Sequence, residues 1–155
     1  MIIFSRNHWN YALVLSCFTI VCLVLMEVNG NNQSFNSGAW YQVLFMTIAP
    51  AVVLFFGIRT KRAILDGVMS FKQGFREGMM ISLLFGIISA FVFLSYYQWF
   101  NRGILESVRD AYGMVGASDG KVIIIDMVLQ VVFALVFGAI VSSLSSLILK
   151  RSKKQ

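Results

Sequence analysis

With 155 residues, 58% of them hydrophobic and only 13% charged, the chain carries too little polar surface to enclose a core in water, which excludes an ordinary soluble domain. Its net charge of +6 does not point to nucleic acid. The basic residues gather at the ends of apolar runs, without aromatic interleaving or a groove-reading motif, so membrane topology explains them and no nucleic-acid partner is expected.

The first apolar run extends from Trp9 to about Val28. A cleaved signal peptide is the rival reading, but the run is too long, Arg6 is the sole basic residue before it, and no small-residue cleavage site follows. It is read as a retained transmembrane helix, ended by the turn residues Asn29, Gly30, Asn31 and Asn32. Cys17 and Cys22 both lie inside it. Five residues apart on a helix, their Cα atoms stand roughly 8 Å from each other, beyond the reach of a disulfide. The single histidine, His8, sits just before this span, so no metal-ligand cluster and no cofactor are expected. As a ligand or base it ranks below an interfacial histidine.

A second run, residues 39–58, opens on Trp40 and Tyr41, rings suited to the headgroup level. It contains Pro50, which removes a backbone donor and crowds the carbonyl of Met46. The expectation is a kink near mid-membrane, a packing feature before it is a hinge. Between spans two and three, Ile64, Val68, Phe71 and Phe75 recur at helical spacing with basic residues off that stripe, the pattern of a segment lying in the interface. Asp66-Gly67 interrupts it, and Ser70 with Gln73 is a capping-box pair that starts the third helix. The apolar part of that helix covers residues 78–100 and ends in Tyr96, Tyr97 and Trp99.

The loop from Asn101 to Lys121 is the longest, with Ile104, Val108, Tyr112 and Val115 near helical spacing and Glu106 and Arg109 as a surface pair. A short helix on the membrane surface is expected there, then an Asp119-Gly120 turn. The last span, 122–149, is longer than the hydrocarbon core and must tilt or emerge at its serine-rich end; a short basic tail occupies 150–155. These runs predict one all-α membrane domain over 1–155, four helices in an antiparallel bundle with interfacial helical segments in the loops. Ten basic residues on one side against three on the other place both termini in the cytoplasm.

The stretch Met69-Ser70-Phe71-Lys72-Gln73-Gly74-Phe75-Arg76-Glu77-Gly78, with Gly57-Ile58-Arg59 before it and Gly138 to Ser143 leading to Lys150, resembles a family of small bacterial four-helix membrane proteins catalogued as domain of unknown function 4199. The resemblance covers nearly the whole chain through motifs of low specificity. It implies a four-span architecture in a bacterial cytoplasmic membrane and no particular activity.

Two helices carry small residues every four positions: Gly78, Ser82, Gly86 and Ala90 on the third, and Ala134, Gly138, Ser142 and Ser146 on the fourth. Such rows let backbones approach closely, so spans three and four are expected to pack together, a homodimer contact being the alternative. Polar residues fall toward the outer leaflet: Glu27, Gln42, Gln98, Asp126 and Gln130. Asp126, together with Glu27 across the same polar layer, is either a protonatable or cation-binding site or a structural carboxylate paired with Arg102, Arg109 or Lys121. Its position near the membrane boundary favours the structural role.

No phosphate loop, nucleophile elbow or metalloprotease motif is present, so a non-enzymatic protein is expected. The leading expectation is a membrane protein acting by association with itself or with an unidentified membrane partner, surrounded by lipid. The alternative is a small transporter or ion-conducting protein using the Glu27/Asp126 layer and Pro50. That alternative ranks lower because the inner halves of spans one to three offer little polar beyond Ser16, Thr47 and Ser82.

Overall fold

The computed structural model describes residues 6–28, 47–99, 103–114 and 116–150. They form five helices: α1 (Arg6–Val28), α2 (Ala49–Ile64), α3 (Phe71–Trp99), α4 (Gly103–Ala111) and α5 (Asp119–Leu149). Among the described residues, α1, α3 and α5 are long and apolar enough to cross a membrane. Four such helices were expected, and three are found. The second run is described from Thr47 onward and continues into α2, which has 16 residues and carries Arg59, Lys61 and Arg62 in its final turns, while residues 39–46 lie outside the described residues.

Helix limits shift where local chemistry competes with hydropathy. Helix α2 runs on to Ile64 before the chain reverses, so the expected interfacial stripe is split between the end of α2 and the start of α3. The reversal uses Asp66 and Gly67 at φ 53° and 78°, and Gly67 O accepts a bond from Arg62 Nε at 3.1 Å. Ser70 and Gln73 form the capping box, with Ser70 N–H donating to Gln73 Oε1 at 2.9 Å and Gln73 N–H to Ser70 Oγ at 3.3 Å. Asp119 and Gly120 are not a turn but the first residues of α5, which gains three residues over the expected start. Pro50 stands at the start of α2, directly after a wide π-type turn at Thr47–Ile48 whose backbone is already helical, the kind of local widening that lets a helix pass a residue without an N–H. The Met46 carbonyl that it was expected to crowd lies outside the described residues.

Helix α3 is central, packing on α1, α2 and most extensively on α5. The start of α1, the end of α2, the start of α3 and the end of α5 share one end of the bundle, here the proximal end. There Ile58, Met69 and Leu149 cluster. A middle layer holds Leu15, Leu54 and Ile81, all almost fully buried. At the distal end α4 folds over the bundle, setting Leu105 and Val108 against Leu23, Phe93, Tyr96 and Val122.

Helices α3 and α5 meet along their small residues. A methyl added at Gly74 would strike Ser146, at Gly78 it would strike Ser142, at Gly86 it would meet Ala134, and at Gly138 it would strike Ser82. Each step of four residues up α3 is matched by a step of four down α5, an antiparallel ladder in which one side of every rung is glycine. The backbones approach because no side chain separates them.

Candidate functional site

Two buried ionisable groups and a cleft between them form the candidate site. At the proximal end the first turn of α1, the last turns of α2 and the second turn of α3 converge on Glu77, which is 3% exposed. Asn7 Nδ2 donates to its Oε1 at 2.5 Å, and His8 Nε2 lies 2.9 Å from its Oε2. A carboxylate only accepts, so Nε2 is the donor in this pair. Lys61 Nζ stands 3.5 Å from Oε2. The surrounding bonds tie the same three helices: Asn7 Nδ2 also reaches Gly57 O at 3.3 Å, and the Tyr11 hydroxyl meets Thr60 Oγ1 at 2.6 Å. One carboxylate thus joins α1, α2 and α3, and its charge faces the ammonium of Lys61.

None of these four residues was singled out as a site by sequence. His8 and Glu77 border apolar runs and count there as topology. A signal was nevertheless present. His8, Ala12, Leu15 and Thr19 recur at spacings of three and four and are all buried, and so do Glu77, Ile81 and Leu84. The buried face of each helix continues past the end of its apolar run into the polar turns.

At the distal end Asp126 is 2% exposed, two turns inside α5. The Tyr112 hydroxyl donates to its Oδ1 at 3.1 Å. Of the basic residues expected near it, Arg109 pairs with Asp119 rather than Glu106, and Lys121 is exposed. Arg102 lies outside the described residues. Tyr112 responds to this placement. Burial first, then the charge of Asp126 and the hydrogen bond to it, push its phenol up to about 12.

Of the other expected polar residues, Gln130 lies one turn beyond Asp126 on the same face and lines the cleft. Gln98 is exposed at the end of α3, the Glu27 side chain lies outside the described residues, and so does Gln42. A facing pair of Glu27 and Asp126 therefore has no counterpart among the described residues.

The cleft has a volume of about 390 Å³ and lies between the middle and distal layers. Phe18 of α1, Phe85 and Phe93 of α3, and Phe133 and Phe137 of α5 supply most of its wall. Pro50, Cys22 and Ala134 complete the apolar part, and Thr19, Ser89, Gln130 and Tyr112 supply the polar part. Tyr112 is therefore both a wall of the cleft and the donor to Asp126. The Thr19 hydroxyl is occupied by Leu15 O at 3.1 Å.

The ladder register fixes the levels of the two carboxylates. Extending it by steps of four sets Leu94 level with Asp126, so Glu77 and Asp126 are separated along the bundle by roughly 25 Å at the helical rise of about 1.5 Å per residue. That is close to the thickness of a hydrocarbon core, roughly 30 Å.

No cluster of histidine, cysteine or carboxylate residues able to hold a metal ion occurs among the described residues. No curated protein and no solved structure matches the chain. A family model described as "Protein of unknown function (DUF4199)" matches residues 10–151, a span that includes α1 from its second turn, the Glu77 carboxylate, the whole ladder and Asp126, and the chain belongs to that family.

Proposed function

We propose that the protein is a multi-pass membrane protein of four spans, with both termini in the bacterial cytoplasm, that works without covalent chemistry as a small transporter or ion-conducting protein. The observation that carries this reading is the burial of Glu77, His8 and their partners at the end of the bundle opposite Asp126. Conduction requires polar groups facing the interior in both halves of the membrane, and ionisable side chains inside a membrane bundle mark pathways for ions and protons. In this reading the proximal end, with its excess of basic residues, faces the cytoplasm and the cleft belongs to the outer half. The layer of Leu15, Leu54 and Ile81 then separates the cleft from the Glu77 cluster, the closed barrier that alternating access needs on one side of a site.

The test is reconstitution into liposomes that enclose a pH-sensitive dye, with an imposed potassium-diffusion potential. Proton or cation flux above that of protein-free liposomes is expected, abolished in Glu77→Gln and reduced in Asp126→Asn. Flux no greater than that of empty liposomes sinks the reading, as does equal flux in both variants.

Association with a second copy is the second reading, favoured by the outward face of α5. Ile124, Val128, Val132, Val136, Ile140, Leu144 and Ile148 recur every four residues and are all exposed. The small-residue row is occupied by α3 within the chain, so self-association would use this bulky ridge instead. Light scattering in mild detergent tests it, and a monomer at every concentration removes it.

A further inference from the structure

Four buried serine hydroxyls, on Ser82, Ser89, Ser142 and Ser146, have no hydrogen-bond partner among the described residues. Three of them have an evident packing role. Ser82 is pressed against Gly138, Ser142 against Gly78 and Ser146 against Gly74, where each fills the space a methyl would take and leaves no room for a ligand. Ser89 is different: it is 3% exposed and lines the cleft. A buried hydroxyl without a partner asks for one, and here the space beside it can hold one.

The rest of the wall limits what that partner can be. No lysine, arginine, histidine, aspartate or glutamate lines the cleft among the described residues, so a charged ligand would lack a counter-charge. Thr19 and Tyr112 have their hydroxyls engaged elsewhere, which leaves Ser89, flanked by Gln130, as the recognition point in a wall made mainly of phenylalanine rings. The volume of about 390 Å³ is at the lower end of the range of roughly 300–1,000 Å³ for small-molecule sites.

We infer that the cleft binds an uncharged amphiphile, an apolar aromatic or acyl body bearing one hydroxyl or carbonyl group that hydrogen-bonds to Ser89. This names the substrate class of the transporter proposed above and rests on that reading for transport, although not for binding. Tyr112 connects the two parts of the molecule, because an occupant of the cleft touches the side chain that bonds Asp126.

The experiment uses the full chain with Cys17→Ser, in nanodiscs of uncharged lipid, titrated with three matched fluorescent probes: 9-anthracenemethanol, 9-methylanthracene and 9-anthracenecarboxylate. Binding is the excess over protein-free nanodiscs. The alcohol is expected to bind about fivefold more tightly than the methyl compound, as one hydrogen bond to a neutral group allows, and the carboxylate not at all. The alcohol should also slow the reaction of Cys22, which lines the cleft, with N-ethylmaleimide.

Ser89→Ala should reduce alcohol affinity to that of the methyl compound, and retained binding of the methyl compound reports that the variant is folded. Equal affinities for alcohol and methyl compound in the unsubstituted Ser89 protein overturn the inference, since the cleft would then accept any lipid tail without recognition. Unchanged alcohol affinity in Ser89→Ala overturns it too, as does binding of the carboxylate. Binding without flux in liposomes removes the transport reading and keeps the site, whereas flux without binding removes the site alone.

Discussion

Glu77 gathers donors from two other helices, so its removal and its neutralisation have different effects. Glu77→Ala leaves His8, Asn7 and Lys61 facing a buried gap and should cost about 3–5 kcal/mol of stability, the usual loss when one member of a buried pair disappears. Glu77→Gln keeps an acceptor for one of those donors and should cost less, so thermal unfolding in detergent should rank native above Gln above Ala. An equal loss in both would mean that charge, rather than hydrogen bonding, holds the cluster. Tyr112 offers a pH measurement. Its phenol titrates near 12 rather than 10 when folded, so the folded protein holds that proton more tightly than the unfolded chain. The resulting stability is fully present below about pH 10 and is lost as pH rises through about 12. Asp126→Asn removes the charge, the second cause of the shift, and leaves burial and an amide oxygen that still accepts the phenol's hydrogen bond. The phenolate absorbance, taken as the difference from Tyr112→Phe, should move downward but stop short of 10.

At the scale of the helices, the small residues of α3 and α5 could be read from their spacing, because a four-residue period is a local property of sequence. The rung partners could not, since they depend on register across about 60 residues. The structure gives them, and they make a compensating pair testable. Gly138→Ala drives a methyl into Ser82 Oγ and Cβ, an overlap expected to cost about 1–3 kcal/mol. Adding Ser82→Gly exchanges the two sides of the rung and should recover most of that loss in the same unfolding assay. Failure of the double variant to recover would show that the serine hydroxyl itself contributes to the contact. The capping box was legible for a similar reason, as its two residues are three apart. The helix ends were harder to place: Lys61 and Arg62 read as part of a separate interfacial segment although α2 continues through them, because hydropathy reports lipid contact and not backbone hydrogen bonding.

For the molecule as a whole, sequence alone conveyed an apolar all-helical chain with charge concentrated at one end. It did not convey the depth of the polar interior. Asp126 stood out because it interrupts an apolar run, whereas Glu77 and His8 border theirs and became visible as a pair only when residues 69 apart were brought to 2.9 Å. The cleft was invisible for the same reason, being assembled from α1, α2, α3, α5 and the link before α5. The topology proposed above predicts that a fluorescent protein fused after Gln155 lights up in cells, while a secreted phosphatase fused there stays inactive. The reverse pattern would invert the bundle and turn the cleft toward the cytoplasm.

The ladder between α3 and α5 has one further property. Sliding α5 by a single notch of four residues, about 6 Å, would set Gly78 beside Ser146, Ser82 beside Ser142, Gly86 beside Gly138 and Ala90 beside Ala134, so four rungs would again join two small residues while Gly74 would face Lys150. The rail therefore does not choose its own stop. What distinguishes one notch from the next is fastened at the two ends, where Met69 and Leu149 meet at one and α4, held to α5 by Arg109 and Asp119, rests on Phe93 and Tyr96 at the other. The contacts at the two ends, and not the seam between them, therefore set the register in which α3 and α5 meet.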